Sequence, residues 1–213
     1  MESKIRDLRQ EIFKFEQLSN FDKNDFFVSE CNYFAFNLIK SWPNWEKKIL
    51  NIYGERKSGK SHLSEIFLEN EKGIKVKFKE LNEKIFDKIK GYQKIVIEDF
   101  NERCDEEATY SLIDMIEKEN KYLLITSVKA VNEMETRLKD LNSRFKNILT
   151  AKIDKPDDEL IYALILKNFS DNQIILDKKL INFICKRIAR SYDKISEFIC
   201  TIDEISLKKK KTN

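Results

Sequence analysis

Five short apolar runs punctuate the first three quarters of the chain: KILNIYG at 48–54, IKVKF at 74–78, KIVIEDF at 94–100, YLLITS at 122–127 and ILTAKI at 148–153. Their length and β-branched content predict strands. Ile95, Val96 and Ile97 are consecutive apolar residues, as expected of a strand buried on both faces. Between the runs lie stretches with helical spacing, such as Ala108, Leu112, Met115 and Ile116. Strands alternating with helices predict an α/β fold, a parallel sheet covered on both sides.

After Pro156 the pattern changes. The stretches DDELIYALILKNF, DKKLINFICKRIA and KISEFICTIDEI carry apolar residues three and four apart. They predict three helices, a small all-helical lid over 155–207 behind an α/β base over 26–154, with KIDKPDD as the hinge. Asp157 and Asp158 are placed to cap the first helix and Asp177 the second. Residues 1–25 show no periodicity beyond a short apolar cluster and are expected to be a flexible segment, and 208–213 form a basic tail.

Composition removes several classes of function. With 40 basic and 37 acidic residues the net charge is +3, which provides no global drive towards nucleic acid. Lys208 to Lys211 are the exception, either a solvated terminus or a nucleic-acid contact. Cys31, Cys104, Cys185 and Cys200 lie far apart without a C-x-x-C pair, the usage of reduced thiols rather than a disulfide framework or zinc site. His62 is the one histidine, which excludes a histidine-rich metal site. No apolar run approaches the roughly 18 residues of a membrane span, and MESKIRDLRQ has no signal-peptide core. A cytoplasmic protein with no membrane partner is expected.

The clearest chemistry is GERKSGKS, Gly54 to Ser61, which follows a strand pattern and opens a helical one. That context makes it a phosphate loop. Gly54 opens the turn, and Gly59 lets the backbone approach phosphate oxygens, which also meet the amides around Ser58 and the positive end of the next helix. Lys60 is expected to reach the β- and γ-phosphates, and the Ser61 hydroxyl to ligate Mg²⁺. Glu98 and Asp99 end the KIVIEDF strand, where carboxylates are costly unless solvated, paired or metal-bound. Glu98 is the expected partner of the Mg²⁺ shell and Asp99 the group that orients an attacking water. Thr126 and Ser127 either sense the γ-phosphate or simply end their strand.

Taken in order, GKSHL at 59–63, IVIED, LLITS and LNSRF, followed by a helical lid, resemble the AAA+ module of the bacterial replication initiator DnaA and of the shorter Hda-type regulators of DnaA. FFVSECNYFAFNLIKSWPNW at 26–45 resembles the opening of the Hda type, and the likeness runs from about residue 10 to 205. The resemblance implies an AAA+ P-loop domain with a five-stranded parallel sheet. It adds His62 to the phosphate-loop set, places Asn32 near the adenine, and makes Arg144 an arginine finger acting in trans on a neighbouring subunit's nucleotide. The family's lid arginine falls on Asp193 or Ser196, with Arg190 and Lys194 nearby, so Lys194 is the candidate for that contact. This departure, and Lys57-Ser58 in place of small residues, imply a retained nucleotide, ADP or ATP with Mg²⁺, and weak intrinsic hydrolysis.

Gln10, Phe13 and Phe15 match the glutamine-led peptide with which Hda-like proteins bind the DNA polymerase sliding clamp. The closing LKKKKTN leaves no room for the helix-turn-helix domain that ends DnaA, so DNA contact is expected to be weak or indirect. The expected function is a clamp-bound adaptor that stimulates ATP hydrolysis by DnaA and prevents re-initiation, with a homodimer as a further form. The alternatives are an intrinsically active ATPase of DnaA-like or helicase-loader type, and a DNA-binding module.

Overall fold

The computed structural model describes residues 26–69, 72–171 and 177–210. Strands β1 (Ile49–Tyr53), β2 (Gly73–Lys77), β3 (Lys94–Phe100), β4 (Tyr122–Ser127) and β5 (Leu149–Lys152) form one sheet in the order β2-β3-β4-β1-β5. Every neighbouring pair is parallel. All five coincide with the apolar runs, and the central β3 and β4 are apolar on both faces, as strands between two helical layers are.

The two-residue period then splits the core. Ile95, Ile97, Leu123 and Ile125 pack with α3 (Glu83–Lys90), α4 (Glu106–Lys118) and α5 (Lys139–Lys146) on one side. Val96, Leu124, Leu50 and Ile52 pack with α1 (Tyr33–Lys40) and α2 (Lys60–Leu68) on the other. Each such aliphatic side chain contributes about 1.5–3 kcal/mol on burial. The edge strand β2 carries exposed Lys75 and Lys77, charges that discourage pairing with another chain.

The WPNW segment serves packing. Trp45 stacks on Phe67 with ring centroids 5.1 Å apart, and Trp42 meets Tyr122 edge-on at 5.5 Å. The Trp45 indole N–H donates to the Leu38 carbonyl, and the buried Lys94 ammonium lies 3.7 Å from the Trp42 ring centroid. The end of α1 is thereby fastened to α2 and to the starts of β3 and β4.

Beyond β5 come α6 (Asp158–Asp171), α7 (Lys178–Cys185) and α8 (Tyr192–Lys210), which continues past residue 207. Ile161, Ile165, Phe169, Ile181, Cys185 and Ile195 give them a core of their own. Asp157 caps α6, accepting the Leu160 N–H at 2.8 Å, while Asp158 lies within the helix and pairs with Arg190 at 2.9 Å. Asp177 caps α7, accepting the Lys179 N–H at 3.1 Å. Replacing Asp177 with alanine should lower stability by about 1 kcal/mol, a melting-temperature loss of roughly 2–4 °C for a chain of this size. Scanning calorimetry checks this, and an unchanged transition would show the cap to be dispensable.

The bundle is tied to the sheet domain around Tyr192, with Leu160 and Leu164 of α6 in the same core. Tyr192 is buried in the α1/α2-side core, donates to the Asp154 carbonyl at 3.0 Å, and lies 3.5 Å from Cys31 Sγ. Cys31 N–H donates to Asp157 Oδ2 at 3.2 Å, and Asp154 N–H to the Cys31 carbonyl at 2.9 Å. Burial pushes the Tyr192 phenol far above its usual range, so it stays a hydrogen-bond donor. Burial also opposes the charge on Asp157, yet hydrogen bonds from Leu160, Ser29 and Cys31 hold its carboxyl below the usual range.

Candidate nucleotide site

β1 ends at Tyr53 and the chain turns through 54–59 into α2. Gly54 is required by close approach: a Cβ there would lie 2.7 Å from the Ile153 carbonyl oxygen. Gly59 is required twice over, by a left-handed φ of 90° and by the Phe26 ring, 3.0 Å from where a Cβ would sit. Phe26 in turn stacks on Phe36 and meets the buried His62 ring edge-on at 5.2 Å. His62 therefore helps to hold the aromatic wall beside the loop.

Lys60 is buried, and its ammonium donates to the carbonyls of Gly54 (2.8 Å) and Glu55 (2.5 Å), with Ser58 Oγ at 3.4 Å. The loop is thus curled around its own lysine. Burial pulls the Lys60 pKa below its ordinary value, against the opposing pull of the Asp99 and Glu55 carboxylates.

The two adjacent carboxylates are separated by a distortion in β3. Its register against β4 shifts between Ile97 and Phe100, and Asp99 has a left-handed φ of 58°. Such a bulge re-aims side chains: Glu98 is buried and Asp99 exposed. Glu98 Oε2 lies 3.8 Å from Lys75 Nζ, while its Oε1 is buried with no hydrogen-bond partner. A buried carboxylate oxygen in that state is a ready ligand for a cation. Among the described residues no three His, Cys, Asp or Glu side chains gather into a metal cluster. Mg²⁺ needs no such cluster, since it is commonly held by one or two carboxylates together with phosphate oxygens and water. Glu98 and the exposed Ser61 at the start of α2 fit that donor set.

At the end of β4, the Thr126 hydroxyl oxygen accepts the Asp99 N–H at 3.3 Å and keeps its own hydrogen to donate. Ser127 is occupied internally, donating to the Lys129 carbonyl at 2.5 Å. It is held there by Asn51, a buried structural position that the apolar pattern did not single out. Asn51 is fully buried in β1, and its amide donates to Ser127 Oγ (2.9 Å) and the Ile125 carbonyl (3.1 Å). Its Oδ1 accepts the Val131 N–H at 2.9 Å. The available signal was a lone amide inside KILNIYG, in a run that otherwise reads as core.

Asn32 is buried, donates to the Phe27 carbonyl (2.9 Å) and accepts the Ser29 N–H (3.0 Å), so its side chain shapes the 27–32 turn. Arg144 sits on α5, on the sheet's other helical layer. Asp114 (3.0 Å) and Glu117 of α4 clasp its guanidinium, which also lies 4.7 Å from the Tyr110 ring centroid. Lys194 is paired with Glu197 of its own helix at 2.7 Å. Gln10, Phe13 and Phe15 lie outside the described residues. No helix among the described residues is long and apolar enough to cross a membrane.

No family model matches the chain. Among solved structures it is similar to a replication initiator DnaA bound to AMPPCP and single-stranded DNA, with a TM-score of 0.68 and 15% identity over 91% of this chain and 69% of that one. Domain III of the Thermotoga maritima DnaA aligns with a TM-score of 0.67 and 18% identity, over 91% of this chain and 90% of that one. A Thermotoga maritima RuvB mutant follows at 0.66 and 13%, over 86% of this chain and 65% of its own. The fold is the α/β fold of the AAA+ domains of DnaA and RuvB.

Proposed function

We propose that this chain is a nucleotide-holding AAA+ adaptor of the Hda type, which binds the DNA polymerase sliding clamp and promotes ATP hydrolysis by DnaA. The observation that carries the nucleotide half is the loop wrapped around Lys60, with the orphaned Glu98 oxygen among its neighbouring strand ends. On this reading the loop amides and Lys60 bind phosphates, Ser61 and Glu98 hold Mg²⁺, and Asp99 orients water. When bound, the nucleotide supplies the phosphate charge that the loop is built to neutralise.

Two features support a regulator that retains its nucleotide. Lys194 and Arg190, the cations near the start of α8, are engaged by Glu197 and Asp158. Arg144, which Asp114 and Glu117 clasp and which would have to leave them to act in trans, sits in an LNSRF segment like that from which DnaA-type proteins extend an arginine to a neighbour. There a guanidinium contributes about 10³–10⁵ in rate in known phosphoryl-transfer systems. Hydrolysis then occurs in the partner's site, and re-initiation of chromosome replication is prevented. A homodimer through the same face is part of this reading.

Titration calorimetry against purified sliding clamp tests the anchor. Binding in the micromolar range or tighter is expected, lost in a Gln10→Ala, Phe13→Ala, Phe15→Ala variant. Arg144→Ala should keep clamp binding and lose stimulation of DnaA. A wild-type chain that binds no clamp would overturn the adaptor reading. One observation favours a second reading, an ATPase active by itself: the Thr126 hydroxyl at the end of β4 accepts the Asp99 N–H and fixes the exposed carboxylate's backbone. Brisk turnover without partners, abolished by Lys60→Ala, would replace the adaptor by that enzyme.

A further inference from the structure

Lys57 lies in the middle of the phosphate loop with a left-handed φ of 61°, a conformation that disfavours any residue with a Cβ. From there its ammonium leaves the loop and meets Asp193 Oδ1 at 3.5 Å, in the first turn of α8. The contact joins the loop directly to the helical bundle. Both side chains are about half exposed, at 54% and 50%. The bundle's other nearby cations, Lys194 and Arg190, are paired with Glu197 and Asp158. The charge that the bundle presents to the loop at this contact is therefore negative.

We propose that Lys57 is a phosphate ligand of this loop and that Asp193 is its counter-ion when no nucleotide is bound, so that Asp193 selects against the triphosphate. The inference rests on reading 54–61 as a nucleotide loop. An exposed lysine–carboxylate pair is weak and screened by salt, so it yields readily to a stronger anion. A lysine ammonium on its four-carbon stem can swing from one oxygen to another without rebuilding the loop. Once Lys57 turns to phosphate, Asp193 is left as an unneutralised carboxylate beside the loop. Its repulsion grows with phosphate charge and falls hardest on the nucleotide with the extra phosphoryl group. Occupancy of the loop also sets whether α8 is tied to it.

The test measures binding of ADP and of a non-hydrolysable ATP analogue, with Mg²⁺, to the full chain at low and high salt. Asp193→Asn should tighten the triphosphate analogue about five- to tenfold and ADP about twofold or less, with the gain shrinking at high salt. Lys57→Met should weaken the analogue by a similar factor. In the double variant the Asp193→Asn gain should largely vanish, the coupling expected of residues that act as a pair. Lys60→Ala serves as the control for the loop itself. Wild-type binding that depends on Lys60, with affinities in both single variants within twofold of wild type, overturns the counter-ion role alone. No nucleotide binding by the wild type overturns that role and the loop reading together.

Discussion

Replacing Lys60 with alanine will lower the affinity for ADP and ATP by about 100-fold or more while leaving the chain folded. Each charge-assisted hydrogen bond from a buried ammonium is worth about 1.5–3 kcal/mol, and about 1.4 kcal/mol is a factor of ten. Two such bonds now run to the Gly54 and Glu55 carbonyls. A bound phosphate would take over part of that donor set, and Lys60 is the buried cation of the loop, Lys57 being half exposed. Because burial has already drawn the Lys60 pKa down, affinity should also fall as pH rises towards that lowered value. Fluorescence titration with a labelled nucleotide reads the loss, and circular dichroism the fold. A loss of less than tenfold in a folded variant would show that the loop does not hold phosphates through Lys60.

The largest stability loss will come from Asn51→Leu, about 3 kcal/mol or roughly 9 °C in melting temperature. Leucine has nearly the same shape, so the cost is one of unmade hydrogen bonds. Val131 loses its acceptor, and Ser127 and the Ile125 carbonyl lose a donor, all within a fully buried part of the sheet. Buried polar groups left without partners cost about 1–3 kcal/mol each. Calorimetry measures the shift, and one below about 2 °C would mean that the network re-forms without the amide. Ser127 would also lose its tether at the end of β4, beside Thr126.

The strands were legible because central parallel strands between two helical layers are mostly apolar on both faces, and even the edge strand β2, with Lys75 and Lys77 exposed, keeps Ile74 and Val76 in register. The helices after Pro156 were legible from period and caps, with Asp177 capping α7 as expected. Other features depended on contacts that no local pattern encodes. Glu98 and Asp99 could be recognised as a carboxylate pair, but the bulge in β3 decides which of them is buried. Asn51 hides in an apolar run because its partners come from β4 and the segment after it. Lys57 and Asp193 are distant in sequence and meet only when α8 is brought to the loop. The WPNW segment was read for its likeness to a family, while its physical task is to pack α1 against α2 and the sheet.

The knot at Tyr192 gives the molecule a fulcrum. The segment before α1, the exit from β5 and the first residue of α8 are pinned there by Cys31, Asp154 and Asp157. From that pin α8 runs for 19 residues, about 28 Å at 1.5 Å per residue, and because Ile195, Ile199 and Ile202 pack it into the bundle core, the bundle turns with it as one arm. A swing of about 10° around the pin carries its far end roughly 5 Å, while the first turn hardly moves. The arm thus has the gearing to turn a small displacement at the sheet end into a stroke as long as a helical turn at its tip.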